Sequence, residues 1–183
     1  MKLNIKSFIA FFKEIIIVVL GVLIAVGINN YKENYEEEKF VSKTLSAIEN
    51  EIEQSELEVE KTSKKHLQIV DSIHAAIHND NESLGQLMNR IGGIQSPDVK
   101  NIGLRFFISN KAELVEYDII SRLNDIENYT NSLHTKMNRM LDFLYENIEK
   151  KDAVIKEKFI YHLANVINSE QELLKLYNDY KTQ

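Results

Sequence analysis

Few residues in this chain stand at spacings that chemistry would use. His74 and His78 are four apart with Asp80 nearby, a step that sets two imidazoles on one helix face as metal ligands would be. Metal sites normally take three or four ligands, and two histidines with one neighbouring acid are more often exposed side chains near a helix end. The acidic run Glu33–Glu38 could attract divalent cations, but it lacks the turn geometry of a calcium loop and reads as a solvated helix surface. His66, His134 and His162 are isolated in sequence and read as surface or core-edge histidines. Phe106-Phe107 and the tyrosines suit a ligand pocket, yet in a domain without tryptophan such residues are more often plain core. Asn128-Tyr129-Thr130 is a glycosylation sequon that matters only in a eukaryotic secretory pathway. No GxSxG, HExxH, P-loop or GxGxxG motif is present. The expectation is therefore no catalytic residue, no metal and no cofactor. An enzyme would need an acid, a histidine and a hydroxyl gathered in a cleft.

The element that organises the chain is the run Phe8–Ile28, FIAFFKEIIIVVLGVLIAVGI. At ~1.5 Å per residue it spans ~31 Å, close to the ~30 Å hydrocarbon core of a bilayer. Lys13 and Glu14 interrupt it, and the fourteen uninterrupted residues Ile15–Ile28 would be short for a span and long enough for a signal-peptide core. Ala25-Val26-Gly27 offers small residues for cleavage, so a cleaved signal stays open beside a retained anchor. The apolar block and charged pair ahead of the core favour retention, with the Lys13 amine extended toward the headgroups. Lys2, Lys6 and Lys13 precede the core, while Lys32, Lys39 and Lys43 follow it among glutamates. Lysine counts are nearly balanced, and the short amino-terminal tail is the easier side to hold in the cytoplasm. A single-pass inner-membrane protein with its carboxy-terminal domain in the periplasm is the expected topology.

At ~100° per residue, Glu14, Val18, Gly21, Ala25 and Ile28 fall within about 80° of one another. Gly21 and Ala25 form a small-xxx-small pair that lets two membrane helices approach closely, with Glu14 on the same stripe. That face is the expected helix–helix contact, with a second copy or with another membrane protein. Lys13, Asn29, Asn30 and Tyr31 are the expected interfacial anchors. Residues 14–31, EIIIVVLGVLIAVGINNY, resemble the amino-terminal signature of an uncharacterised Bacteroidota membrane protein family, the domain-of-unknown-function 6090 group. Glu14, Gly21, Ala25, Ile28, Asn29 and Asn30 carry the resemblance, and Tyr31 stands where that family usually has tryptophan. The resemblance implies a single-pass membrane protein with a helical domain. It implies no activity.

Composition narrows the rest. The chain has 183 residues, one proline, six glycines, no cysteine and a net charge of −6. Residues 1–30 hold three lysines against one glutamate, so the remainder carries −8. That balance argues against nucleic-acid binding, which needs clustered Lys and Arg, and against a broad contact with anionic lipid. Lack of cysteine excludes disulfides, thiolate metal sites and cysteine nucleophiles.

Beyond the anchor every segment reads as helix, so the fold class is all-α. A single transmembrane helix continues into a long helix, followed by an antiparallel helical bundle. Residues 1–30 form the tail and anchor, and 31–183 the bundle outside the membrane. Asn30 to Asp80 lacks Gly and Pro and carries a heptad seam whose middle, Ser55, Thr62 and His66, is polar. That pattern fits a weak coiled coil or a bundle helix. A break at Asn79-Asp80-Asn81 precedes a short helix over Glu82–Ile91, which Gly92-Gly93 stops. Ser96-Pro97-Asp98 predicts a restart over Asp98–Ile108, and Asn110 with Glu113 a capping pair. A long helix follows, with a candidate interruption at Asn128–Asn131, then a turn at Lys150-Lys151-Asp152 and a last helix. The function expected from these features is a non-enzymatic, membrane-anchored interaction or scaffolding subunit of the cell envelope. The alternative is a sensor-like extracytoplasmic domain binding a small ligand between helices and signalling through a partner.

Overall fold

The computed structural model describes residues 5–111 and 114–182, with side chains described for 11–109 and 114–182. Lys2, the side chains of Lys6 and Phe8, and the capping pair expected at Asn110 and Glu113 lie outside the described residues. All regular structure among the described residues is helical: α1 Ile5–Ala75, α2 Leu84–Arg90, α3 Ile102–Lys111, α4 Tyr117–Glu146 and α5 Ala153–Lys181. The chain divides by packing into two units, Met1–Lys43 and Thr44–Gln183. Each is taken by itself.

The described residues of the first unit are helix alone. No glycine or proline occurs between Ile28 and Ser83, so nothing in the sequence stops α1 where the apolar run gives way to polar residues. Lys32 and Glu36 approach to 3.8 Å one turn apart, both well exposed, a contact worth at most a few tenths of a kcal/mol.

The second unit holds the core. From α1 come Ile48, Ile52, Val59, Ile69 and Ile73 at helical spacing, all buried. Leu123, Ile126, Leu133, Met137 and Met140 of α4 and Phe159, Leu163, Val166, Ile167 and Leu173 of α5 close over them. The α4 and α5 stripes meet in opposite senses: Arg122 reaches the Asp179 carbonyl, Lys136 the Ser169 hydroxyl, and Phe143 stacks near Phe159. Helix α4 runs unbroken through Asn128–Asn131, because both asparagines face solvent and the Thr130 hydroxyl donates to the Ile126 carbonyl inside the helix.

Helix α1 ends at Ala75, five residues short of Asp80. The Lys156 ammonium, itself fully buried, donates to the carbonyls of Ala76 at 3.0 Å and Asn79 at 2.7 Å. A cation on terminal carbonyls suits the negative end of the helix dipole and turns the chain there. The Asn79 side chain accepts from the Asn81 amide at 3.2 Å, closing the turn. Ser83, with Gln86 answering it, then caps α2 in a reciprocal box, and Gly92 and Gly93 leave it at φ 86° and 76°.

Helix α2 rests its first amides on the α4–α5 turn. Leu84 donates to the Lys150 carbonyl at 2.8 Å and Gly85 to the Ile148 carbonyl at 2.7 Å. A Cβ at Gly85 would sit 2.5 Å from the Ile148 side chain and 2.9 Å from its carbonyl oxygen. Gly85→Ala is therefore expected to cost roughly 1–3 kcal/mol as an overpacking change. Urea unfolding followed by helix content checks this, and an unchanged midpoint would show the contact yields freely.

The restart expected at Ser96-Pro97-Asp98 does not occur; α3 begins at Ile102. Residues 94–101 run without helix along α1 as a strap, with Pro97 buried. Side chains of α1 take the place of intrahelical bonds. His66 Nε2 lies 3.0 Å from the Gln95 carbonyl, and the Ser55 hydroxyl accepts from the Lys100 amide at 2.8 Å. Both oxygens of Glu51 accept from the Gly103 amide at 3.0 Å, a carboxylate at the positive end of α3.

Candidate functional site

Every residue expected in the membrane contact or at its edges lies exposed on α1. Lys13, Glu14, Val18, Gly21, Ala25, Ile28, Asn29, Asn30 and Tyr31 are all surface residues, and a Cβ built on Gly21 meets nothing within 4 Å. Glu14 is not enclosed by the chain's own atoms. The apolar side chains from Phe11 to Ile28 are 42% to 68% exposed, over a stretch whose mean hydropathy reaches 2.6. Folded soluble chains rarely leave so large an apolar surface uncovered. This run is one candidate membrane span by length and composition.

The second feature is a layer of polar residues inside the Thr44–Gln183 unit. The polar seam positions Ser55, Thr62 and His66 are all buried, and α5 answers them with Lys156, Ser169, Glu170 and Tyr177. His66 Nδ1 stands 2.9 Å from Glu170 Oε1, with both side chains fully buried. The Gln95 carbonyl can only accept, so Nε2 carries a proton. The approach is close but is not a well-aligned hydrogen bond, since neither His66 Nδ1 nor either Glu170 oxygen has a hydrogen-bond partner.

About 16 Å along α1 lies a separate cluster of hydroxyls, Ser55, Thr130 and Tyr177. The Tyr177 hydroxyl faces Ser55 and Thr130 but makes no regular hydrogen bond. Burial pushes its phenol up to about 12, against the opposing pull of those two hydroxyls. The unfolded phenol titrates near ~10, so the neutral ring's contribution is intact below pH ~10 and lost as pH rises through ~12. The loss is roughly 2 kcal/mol by pH ~12. Tyr177→Phe is expected to flatten the fall in unfolding free energy over that range. Equal slopes for the two proteins would assign the alkaline loss to another group.

An acid, a histidine and hydroxyls are thus present, though not as a cleft. The hydroxyl cluster is too far from the His66–Glu170 pair to act with it, and all five side chains are closed to solvent. The remaining candidates do not converge. His74 and His78 are exposed, and His78 lies past the end of α1 in a turn. His134 is exposed, and His162 lies half-buried against the Phe143 ring at 4.8 Å. Among the described residues no three His, Asp or Glu side chains gather as a metal would need, the Glu33–Glu38 run included. Phe107 is core, while Phe106 is 53% exposed.

Sequence reasoning missed the pair because it treated polar seam positions as weak packing. The signal was there: Lys156, Leu163, Glu170 and Tyr177 recur every seven residues, and all four are buried. Compared with protein-family models, curated proteins and solved structures, the chain matches none.

Proposed function

We propose that this chain is a non-enzymatic, single-pass membrane protein whose helical unit serves as an interaction or scaffolding subunit of the cell envelope. The observation that carries the reading is the exposed apolar helix surface from Phe11 to Ile28. Lipid is the cover its composition suits. Residues 1–30 are the tail and anchor in the inner membrane, amino terminus in the cytoplasm, and residues 31–183 form an antiparallel bundle on the periplasmic side. Opposite running senses support the bundle: Glu56 pairs with Lys181, His66 with Glu170, and the Ala76 carbonyl with Lys156. The likeness of residues 14–31 to the domain-of-unknown-function 6090 signature supports the anchor. Glu14, Val18, Gly21, Ala25 and Ile28 form the lateral contact, with a second copy or another membrane protein across it.

Crosslinking in intact membranes tests the lateral contact. Gly21→Leu, which adds bulk where the close approach occurs, is expected to remove the crosslinked species while leaving the chain in the membrane. Unchanged crosslinks, or a lone monomer with no copurifying partner in mild detergent, would overturn it.

A further inference from the structure

The segment just beyond the apolar run is more ordered in charge than its composition implies. With α1 continuous through Lys43, positions turn by ~100° per residue. Tyr31, Tyr35, Lys39, Lys32 and Lys43 then fall within an arc of about 120°. Glu33 and Glu37 lie well outside it, Glu38 borders its tyrosine edge, and Glu36 borders its lysine edge 3.8 Å from Lys32. Tyr31 and Tyr35 are 75% and 57% exposed, and the Lys39 ammonium stands 6.0 Å from the centre of the Tyr35 ring. Ile17 and Ile24 occupy the tyrosine side of the same arc about two to four turns earlier, so that side is continuous with the apolar surface, while Gly21, Ala25, Glu14 and Ile28 of the proposed lateral contact stand before its lysine side.

We infer that this Tyr/Lys face is a lipid-headgroup binding surface and that α1 leans toward it on leaving the hydrocarbon. The inference rests on the membrane reading and adds to it a direction and a ligand chemistry, the phosphates of the headgroup layer. Tyrosine rings prefer that layer, and lysine amines complement its phosphates. An upright helix would carry Lys39 ~16 Å past Ile28, beyond a headgroup layer only ~5–7 Å deep. A lean within the ~40° that membrane helices reach, with the lysine stems extended, lowers the Lys32 and Lys39 amines to that depth and brings Lys43 nearer to it. The net −8 of the outer segment argues against a broad contact, but a narrow face with Glu36 and Glu38 only at its borders meets less of that objection.

The chain has no cysteine, so single cysteines carry a spin label cleanly. The full chain, labelled at Val22→Cys, Glu37→Cys or Lys39→Cys, is placed in vesicles of phosphatidylcholine with a minor share of phosphatidylglycerol. Collision rates with oxygen and with a water-soluble nickel complex then report depth. The label at 22 is expected deep. The label at 39, though two residues farther along, is expected to meet nickel at least about twofold less than the label at 37, since its side faces the headgroups. Adding Tyr31→Ser and Tyr35→Ser to Lys39→Cys is expected to abolish that difference. A deep label at 22 with 39 as accessible as 37, or a difference that survives loss of the tyrosines, overturns the lean and leaves the anchor standing. A water-accessible label at 22 overturns both.

Discussion

Glu170→Ala is expected to destabilise the Thr44–Gln183 unit by about 3–5 kcal/mol, since removing one member of a fully buried polar pair leaves the other without its partner. His66→Ala is expected to cost a similar amount and also to free the Gln95 carbonyl, which His66 Nε2 holds at 3.0 Å. The double change His66→Leu with Glu170→Met should recover most of either loss, because two buried charges gain little net free energy once their desolvation is counted. What it should not recover is the Gln95 bond, about 1–2 kcal/mol for a buried carbonyl without its donor. Urea unfolding of the full chain in mild detergent gives all four values. Strict additivity of the single losses would mean that the 2.9 Å approach carries no coupling.

The same pair explains why α5 meets α1 in one register. A slip of α5 by seven residues would set Leu163 or Tyr177 against His66 and leave Glu170 among apolar side chains. An apolar seam would tolerate the slip, and this one is expected to resist it. The specificity resides in the polar positions, whereas the isoleucines and leucines around them supply the burial.

The second large effect concerns the anchor. Leu20→Arg, near the middle of the apolar stretch, is expected to weaken insertion by about 3 kcal/mol, roughly a hundredfold in the partition between membrane and water. Leu57→Arg is the matched control. Leu57 is 61% exposed and Leu20 52%, so exposure alone does not distinguish them. Only the surroundings do: Leu57 is a lone surface leucine of a folded helical unit, and Leu20 belongs to a continuous apolar face. Membrane fractionation should show the first change releasing chain to the soluble fraction and the second leaving it in place. Equal behaviour would mean that the stretch is not held by lipid.

Helix content was readable in this sequence because no glycine or proline occurs between Ile28 and Ser83, and long amphipathic stripes mark α4 and α5. The Gly92-Gly93 stop was readable for a local reason, since only glycine enters that backbone region without strain. The two misplaced boundaries have non-local causes. Lys156, about eighty positions downstream, turns the chain after Ala75, and Glu51, Ser55 and His66 hold residues 95–103 in a strap where local signals favoured a helix start. No window of neighbouring residues contains those partners. The apolar face with Gly21 and Ala25 was legible as composition, and its cover was not, because no described residue supplies it.

Everything proposed for this protein depends on the Phe11–Ile28 surface being buried in lipid in the mature chain. Washing native membranes with alkaline carbonate and determining the amino-terminal residue of what remains tests that directly. The expected result is intact chain, still beginning ahead of Phe11, in the membrane pellet. Release into the wash, or a mature chain that starts near Ile28, would contradict it.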